Sequence, residues 1–432
     1  MKASFILAWR ALVRGHVLTL LLVATALAHA FLPAIVRSDG TAAGWREMFV
    51  RAVPGATVAF ITVTILACAC GFFAQERERF RLSLTVVRPA SAFGVACGKW
   101  LALCAVAAVS LAFSGALTAC RLADAPRCLH HHAPQLPPTV DCARAAMSAY
   151  LADPRTPENV KKAPKSAVLS LLTNKELDRY DVIRKGETFA WPFAESLAAT
   201  NRELFVRVRF ATQFEMRSAF EGEFAFGPYH APVKYSTQSV LDAPLVVGAA
   251  ASTNLLASAQ QGTNAVGIVS LRFANTGGET VMLRPRRDLE ILTPADSFGA
   301  NLARALAQTF AAVALLAAFG LFLSAAVSRP VAIFTALIAV MVTLMAPSVV
   351  AQFPDEMDTK FSERFGLAVS RLICSITQTV SSAEPLSDLA TDKCVEWSAL
   401  LKSLFVNVLV LPSVLLAATA TIVRRKPLAE NS

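Results

Sequence analysis

The chain has 432 residues, of which 55% are hydrophobic and only 17% charged, with a mean hydropathy of +0.50 and a formal net charge of +10. So apolar a composition excludes most soluble enzymes, and no basic motif interleaved with aromatics accompanies the charge, which excludes nucleic acid as its cause. Basic residues flanking membrane spans, where they meet anionic headgroups, account for it better.

Six apolar runs of 20 to 23 residues lie at 17–36, 55–74, 100–119, 305–327, 331–351 and 403–423. Each is long enough to cross a hydrocarbon core as a helix. Helices are the form expected there, because in lipid every backbone amide must bond within its own segment. The predicted fold is a polytopic α-helical membrane protein with six transmembrane helices and a β-rich, sandwich-like extracytoplasmic domain between helices 3 and 4. Residues 1–119 hold the first three helices, 120–300 the outer domain, and 301–432 the last three with an outer segment at 352–402.

Ahead of the first run, Phe5, Ile6, Trp9, Leu12 and Val13 share one helical face, edged by Lys2, Arg10 and Arg14. This pattern suits a short helix lying in the interface; the plainer reading is the start of the first span. Ala28-His29-Ala30 resembles a signal-peptidase site. The apolar run continues through Phe31, Leu32 and Ile35, and cleavage would leave five spans, so an uncleaved first span is the reading adopted. The second run leads into Gln75-Glu76-Arg77-Glu78-Arg79-Phe80-Arg81, then an amphipathic stretch, Arg88-Pro89-Ala90-Ser91, and Gly98-Lys99 at the third run. A charged start, an amphipathic middle and a Pro break predict a short helix along the membrane. Gly94 to Lys99 imitates a phosphate loop, but three residues separate the glycines and Trp100 follows the lysine, so it cannot cradle nucleotide phosphates.

Pro126, Pro134, Pro137 and Pro138 make the start of the outer domain irregular. Thr156-Pro157-Glu158 offers an N-cap, a first-turn proline and an acid, so a helix is expected there, with another over 166–180. Period-two alternation at Leu204, Val206, Val208 and Phe210, and at Val269, Leu271 and Phe273, predicts strands with one buried face. Asn275-Thr276-Gly277-Gly278 reads as a hairpin turn into 279–283. With 223–226, 233–240 and 289–292 these form a small β-sandwich, a fold that fixes no function by itself.

Cys128-Leu129-His130-His131-His132, with Cys142 beyond, has the composition of a metal site. Three adjacent histidines on a loop cannot all face one ion, and no metal is expected. An oxidising exterior allows Cys128–Cys142 and Cys374–Cys394 bridges; the five outer cysteines (Cys120, Cys128, Cys142, Cys374, Cys394) are odd in number, so at least one stays free or pairs between chains. Of polar groups within the runs, Gln308, Asn407 and His29 are the main ones, with Arg304 and Lys402 at boundaries. This argues against ion-coupled transport, which needs charged groups inside the spans. For His29 and Asn407 an interhelical hydrogen bond is the simplest role.

Short segments on the side of the termini carry twelve basic residues, against eight on the opposite side. The positive-inside rule therefore places both termini in the cytoplasm and 120–300 outside.

The loop after the second span resembles that of permease subunits of ATP-binding-cassette exporters of the six-span, type-two class. Their first cytoplasmic loop commonly carries an acidic pair, a short helix, a Pro-x-Ser turn and Gly-Lys. Glu76, Glu78, Pro89, Ser91, Gly98 and Lys99 match, while Phe80-Arg81 stands where Gly-Thr often follows the acids. The tight turn Ser328-Arg329-Pro330 and the basic tail Arg424-Arg425-Lys426 extend the likeness across the membrane half of the chain. The resemblance implies an inner-membrane (plasma-membrane) permease with no catalytic, cofactor or metal residues of its own. It implies separate cytoplasmic ATP-binding-cassette ATPases docking on the loop, with Arg88 and its neighbouring arginines facing acids there or lipid headgroups. A second copy or a related permease would complete the passage, and the outer domain would take cargo, an accessory protein or its counterpart. The alternative is a membrane-anchored sensor or assembly scaffold whose outer β domain binds a partner. An enzyme acting on lipid is a third class, but no convincing catalytic set stands near a membrane face.

Overall fold

A computed structural model describes residues 1–36, 42–78, 91–123, 127–154, 156, 165–198, 203–212, 220–235, 240–247, 268–352 and 385–429. Helices α1 (Lys2–Arg14), α2 (Val17–Ile35), α3 (Ala42–Glu78) and α4 (Ala92–Arg121) come first. Helices α5 (Thr139–Ala152) and α6 (Lys165–Leu177) follow, then α7 (Phe298–Ala326), α8 (Arg329–Gln352) and α9 (Pro385–Ala390). Helix α10 (Trp397–Leu404) runs through a π-helical turn at Phe405–Val410 into α11 (Leu411–Ala429). The chain divides into a helical unit of Met1–Cys128, Asp296–Val350 and Gly366–Ser432, and a β-rich unit whose bulk is Leu129–Ala295.

In the helical unit, five stretches are long and apolar enough to cross a membrane: Val17–Ile35, Trp45–Glu76, Ala92–Arg121, Phe298–Ala326 and Trp397–Arg424. The sixth expected span, 331–351, falls on α8, whose described apolar stretch is the shorter Arg329–Val342. Large side chains left exposed on these helices, such as Leu20, Val23 and Leu27 on α2 or Phe334, Ile338 and Met341 on α8, form apolar outer faces. Faces of that kind are stable against lipid and not against water. Between the helices the fit is close: a methyl group on Gly320 of α7 would stand 2.7 Å from the Ala69 Cβ of α3. Only glycine allows the two backbones that approach.

Helix α1 is separate from α2. His16 adopts the left-handed conformation, φ 58°, between them, and the chain turns there. Phe5, Ala8, Trp9 and Leu12 pack inward, while Ile6 and Val13, expected on the same face, remain exposed. At the opposite end of the unit, α9 and the following loop pack on Phe49, Val50, Val53, Leu122, Phe298 and Leu302. Arg46 pairs with Asp392 at 3.0 Å, and Asn301 holds the loop backbone twice, donating to Lys393 O and accepting from the Val395 N–H, both at 2.8 Å.

The β-rich unit contains strands β1 (Leu129–His132), β2 (Asp181–Ile183), β3 (Thr188–Ala194), β4 (Leu204–Arg209), β5 (Ala211–Thr212) and β6 (Phe220–Phe226). Then come β7 (Tyr229–Tyr235), β8 (Val240–Val247), β9 (Ile268–Asn275), β10 (Val281–Leu283) and β11 (Leu289–Pro294). An eight-stranded sheet has the order β1-β11-β4-β8-β7-β6-β9-β3, and a three-stranded sheet the order β2-β10-β5. Every pairing in them is antiparallel. Both sheets contribute to one core, which includes Trp191, Phe193, Phe224, Phe226 and Phe273 from the large sheet and Ile183, Val281 and Leu283 from the small one. Each such side chain contributes roughly 1.5–3 kcal/mol relative to exposure.

The chain does turn at Asn275–Gly278, but β9 and β10 do not form the hairpin expected from the sequence; they lie in different sheets. The reason is Asn275, whose buried amide donates to Ile183 O at 3.0 Å and Glu279 O at 2.9 Å and accepts from the Gly277 N–H at 3.1 Å. These bonds carry the chain from the large sheet to the small one. Residues 233–240, expected as one strand, hold the end of β7 and the start of β8. Helix α6 covers most of the expected 166–180 helix, whereas the helix expected from Thr156 onward lies outside the described residues.

Candidate functional site

The residues singled out in the loop motif converge where α3 ends and α4 begins. Ser91 caps α4, its hydroxyl accepting from the Gly94 N–H at 3.1 Å. A serine in this position satisfies one of the helix's free amide donors. Two turns on, Lys99 is 5% exposed, with Nζ 2.5 Å from Glu76 Oε2 on α3 and 3.7 Å from the centre of the Phe73 ring. A buried ammonium is stable only when paired, and the aromatic face adds to the pairing. Gly98, beside it, lies under α1: a Cβ there would stand 2.9 Å from Met1 O and from Phe5 N. Those are backbone atoms that cannot swing aside, so the α1–α4 contact requires glycine.

The end of α3 is also tied to α7. Ser324 Oγ accepts from the main-chain N–H groups of Phe73 and Ala74 at 2.8 and 3.0 Å. Trp100 Nε1, next to Lys99, donates to Ala314 O on α7 at 2.8 Å. The helices on either side of residues 79–90 are thus held to each other, to α1 and to α7. Glu78 is the last residue of α3 and its side chain is outside the described set, as are Arg88 and Pro89. The structure therefore brings Glu76 and Lys99 together, with Gly98 beside them, while Ser91 caps the same helix two turns earlier. The sequence marks Lys99 as a motif residue but not as the partner of Glu76, which lies 23 residues earlier in the chain.

Some other polar groups within the helices are paired, while Thr25 Oγ1 and Gln308 Oε1 are buried with no hydrogen-bond partner among the described residues. The ring nitrogens of His29 are 2.9 Å from Thr25 O and 3.2 Å from Thr118 Oγ1, joining α2 to α4 as the sequence suggested. Thr57 Oγ1 is 3.1 Å from Ser114 Oγ, between α3 and α4. Asn407, in the π-helical turn, donates to Ser403 Oγ in the turn before it at 3.2 Å.

The three histidines are not on an irregular loop. They form β1, paired with β11, so His131 points opposite to His130 and His132. His131 Nδ1 is 2.8 Å from Glu290 Oε2, and His132 Nε2 3.1 Å from Thr293 Oγ1. Burial, and then the adjacent His130 and His131, hold the His132 imidazole below its ordinary value. Burial works to raise the Glu290 carboxyl, but the His131 hydrogen bond and the charges of His131, Arg207 and Arg209 outweigh it and hold that carboxyl low. Among the described residues no group of three or more His, Cys, Asp or Glu side chains is arranged to hold a metal ion.

Comparison with protein-family models, with curated proteins and with solved structures found no match.

Proposed function

We propose that the chain is the permease subunit of an ATP-binding-cassette transporter, an exporter powered by separate cytoplasmic ATPases. The observation that carries the reading is the buried Lys99–Glu76 pair, with Gly98 under α1 and Ser324 on the end of α3. A loop rooted in that way moves α1, α3, α4 and α7 when it is pushed. ATP-driven closure of a docked ATPase pair would then rock the bundle as a rigid body, using the difference in binding energy between its states. The 24-residue α8 supplies the sixth span, at about 1.5 Å of rise per residue. With it, both termini and the 79–90 loop face the cytoplasm, the β-rich unit faces outward as a sandwich-like module, and a second copy or related permease completes the passage.

The test is gentle solubilisation of the full-length chain, affinity capture, mass spectrometry and an ATPase assay. A stoichiometric ATPase, with activity uncoupled from transport by Glu78→Lys or Pro89→Ala while membrane insertion persists, is the expected result. Unchanged coupling in both variants overturns the loop assignment. A clean preparation with partners only on the outer face favours the sensor or scaffold.

A further inference from the structure

We propose that Cys128 and Cys394 close into a structural disulfide within the helical unit, stapling the segment that follows α4 to the segment leading into the last helix. The sequence alone allowed other partners for each, Cys142 and Cys374. Cys142 lies on α5, and Cys374 lies outside the described residues.

Both sulfurs are held in place by several bonds. Cys128 is 1% exposed; its N–H and its thiol both reach Asp296 O at 3.0 Å. Cys394 is 6% exposed and stands between Lys393 and Val395, the two residues whose backbone Asn301 clamps. Asp296 and Arg304 bring the two thiols within interacting range of each other: the Cys128 sulfur bonds Asp296 O, and the Asp296 carboxylate pairs with the guanidinium that touches the Cys394 sulfur. Arg304, itself 4% exposed, donates from Nη2 to the Cys394 sulfur at 3.3 Å, pairs with Asp296 at 2.7 Å and stacks over Trp397 at 5.3 Å. A buried cysteine acting only as a small hydrophobe needs neither a second thiol nor a guanidinium in contact. Here two thiols 266 positions apart in the chain meet, with a fixed cation against one of them.

The oxidant is a disulfide donor, a protein or small molecule carrying an S–S bond. The Cys394 thiolate, beside Arg304, attacks one donor sulfur and releases the other as a thiolate. Cys128 then gives up its proton to that thiolate and attacks the Cys394 sulfur, releasing the second donor sulfur, which takes a proton from water. Two protein thiols become one disulfide, and the donor leaves reduced by two electrons with two protons. Burial pushes the Cys128 thiol up to about 11, so this exchange belongs to assembly, before the two sulfurs are covered.

The proposal rests on the topology reading above, since it needs this end of the unit to face an oxidising compartment. The full-length chain is taken from its membrane without reductant, with free thiols blocked by N-ethylmaleimide. Trypsin cuts after Arg127, Arg144, Lys393 and Lys402, and cleavage before Asp141 separates Cys128 from Cys142. Peptides 128–140 and 394–402 joined in one species, released by reduction and lost in both Cys128→Ser and Cys394→Ser, is the expected result. Maleimide on both cysteines, or linkage of either to Cys142 or Cys374, overturns it. In parallel, the exposed Cys120 is probed on intact cells with a membrane-impermeant maleimide. If Cys120 is labelled and both thiols are free, the disulfide fails while the topology stands. If Cys120 is protected, the topology fails, and diamide on the solubilised chain then decides the pairing: a 128–394 link supports it, and any other product overturns it.

Discussion

Lys99 and Glu76 show how a single pair can hold the end of one helix to the start of another. Glu76→Gln would leave the Lys99 ammonium buried without its counter-charge. Because the Glu76 side chain remains 30% exposed, the cost belongs at the low end for a broken buried pair, about 3 kcal/mol. Lys99→Met keeps the stem and removes the charge, so it should cost less, and adding it to Glu76→Gln should recover part of the loss. Thermal unfolding of the four proteins in detergent reads the order directly; equal losses in both single variants would show the pair to be solvated. Gly98→Ala should cost about 1–3 kcal/mol, because Met1 O and Phe5 N must shift. Hydrogen exchange over residues 2–14 should rise in that variant while residues 100–119 stay protected. Lys99 was visible in the sequence as a motif residue but not as a buried one. Burial of a lysine is set by what stands opposite it, and here that is Phe73 and Glu76 on another helix.

At the scale of the element, the strand pair β1–β11 carries a titrating edge. His132 is held neutral by burial and by its histidine neighbours, so the stability it contributes is present above about pH 6.5 and is lost as pH falls through its lowered folded value. Glu290 is held ionised, so its contribution is present above about pH 4.5 and is lost as pH falls through its own lowered value. Exchange protection of residues 129–132 and 289–294, corrected for intrinsic pH dependence, should therefore fall in two steps on acidification. Glu290→Gln should remove the lower step and leave the upper. Of the elements themselves, the strands at 204–210 and 269–273 were legible because alternation survives burial of one face. The 275–278 turn was legible as a turn and misleading as a hairpin. Asn-x-Gly-Gly chemistry is the same whether the chain returns to its own sheet or crosses to another, and only the Ile183 carbonyl decides between them. The helix ends were harder to read: 55–74 satisfies a membrane, yet α3 runs from Ala42 to Glu78, since nothing requires a helix to stop at the headgroups.

For the whole molecule, the chain enters and leaves Leu129–Ala295, the bulk of the β-rich unit, at two places that meet each other. Leu129 pairs with Pro294 within the β-rich unit, and the Cys128 N–H bonds Asp296 O within the helical one. Chain ends that meet in this way are what allows one domain to be inserted into another. Replacing residues 129–295 by a short Gly/Ser linker should therefore leave the helical unit folded. Retention of a monodisperse peak in detergent and protection of residues 100–119 check it, and aggregation would show that the helical unit depends on the insert. The apolar runs made the helical unit readable from composition; the cysteine contact at its edge was not, because its two halves lie 266 positions apart.

The pairing of Leu129 with Pro294 also sets how the β-rich unit answers to force. Both ends leave from the same end of one antiparallel pair, so tension between them works on the bonds one after another, as a zipper opens, and not on all together. The four-residue edge strand would peel first and at low load. The core behind it, shared by two sheets that the chain crosses at Asn275, would then let go as one step, on the order of 55 nm of extended chain.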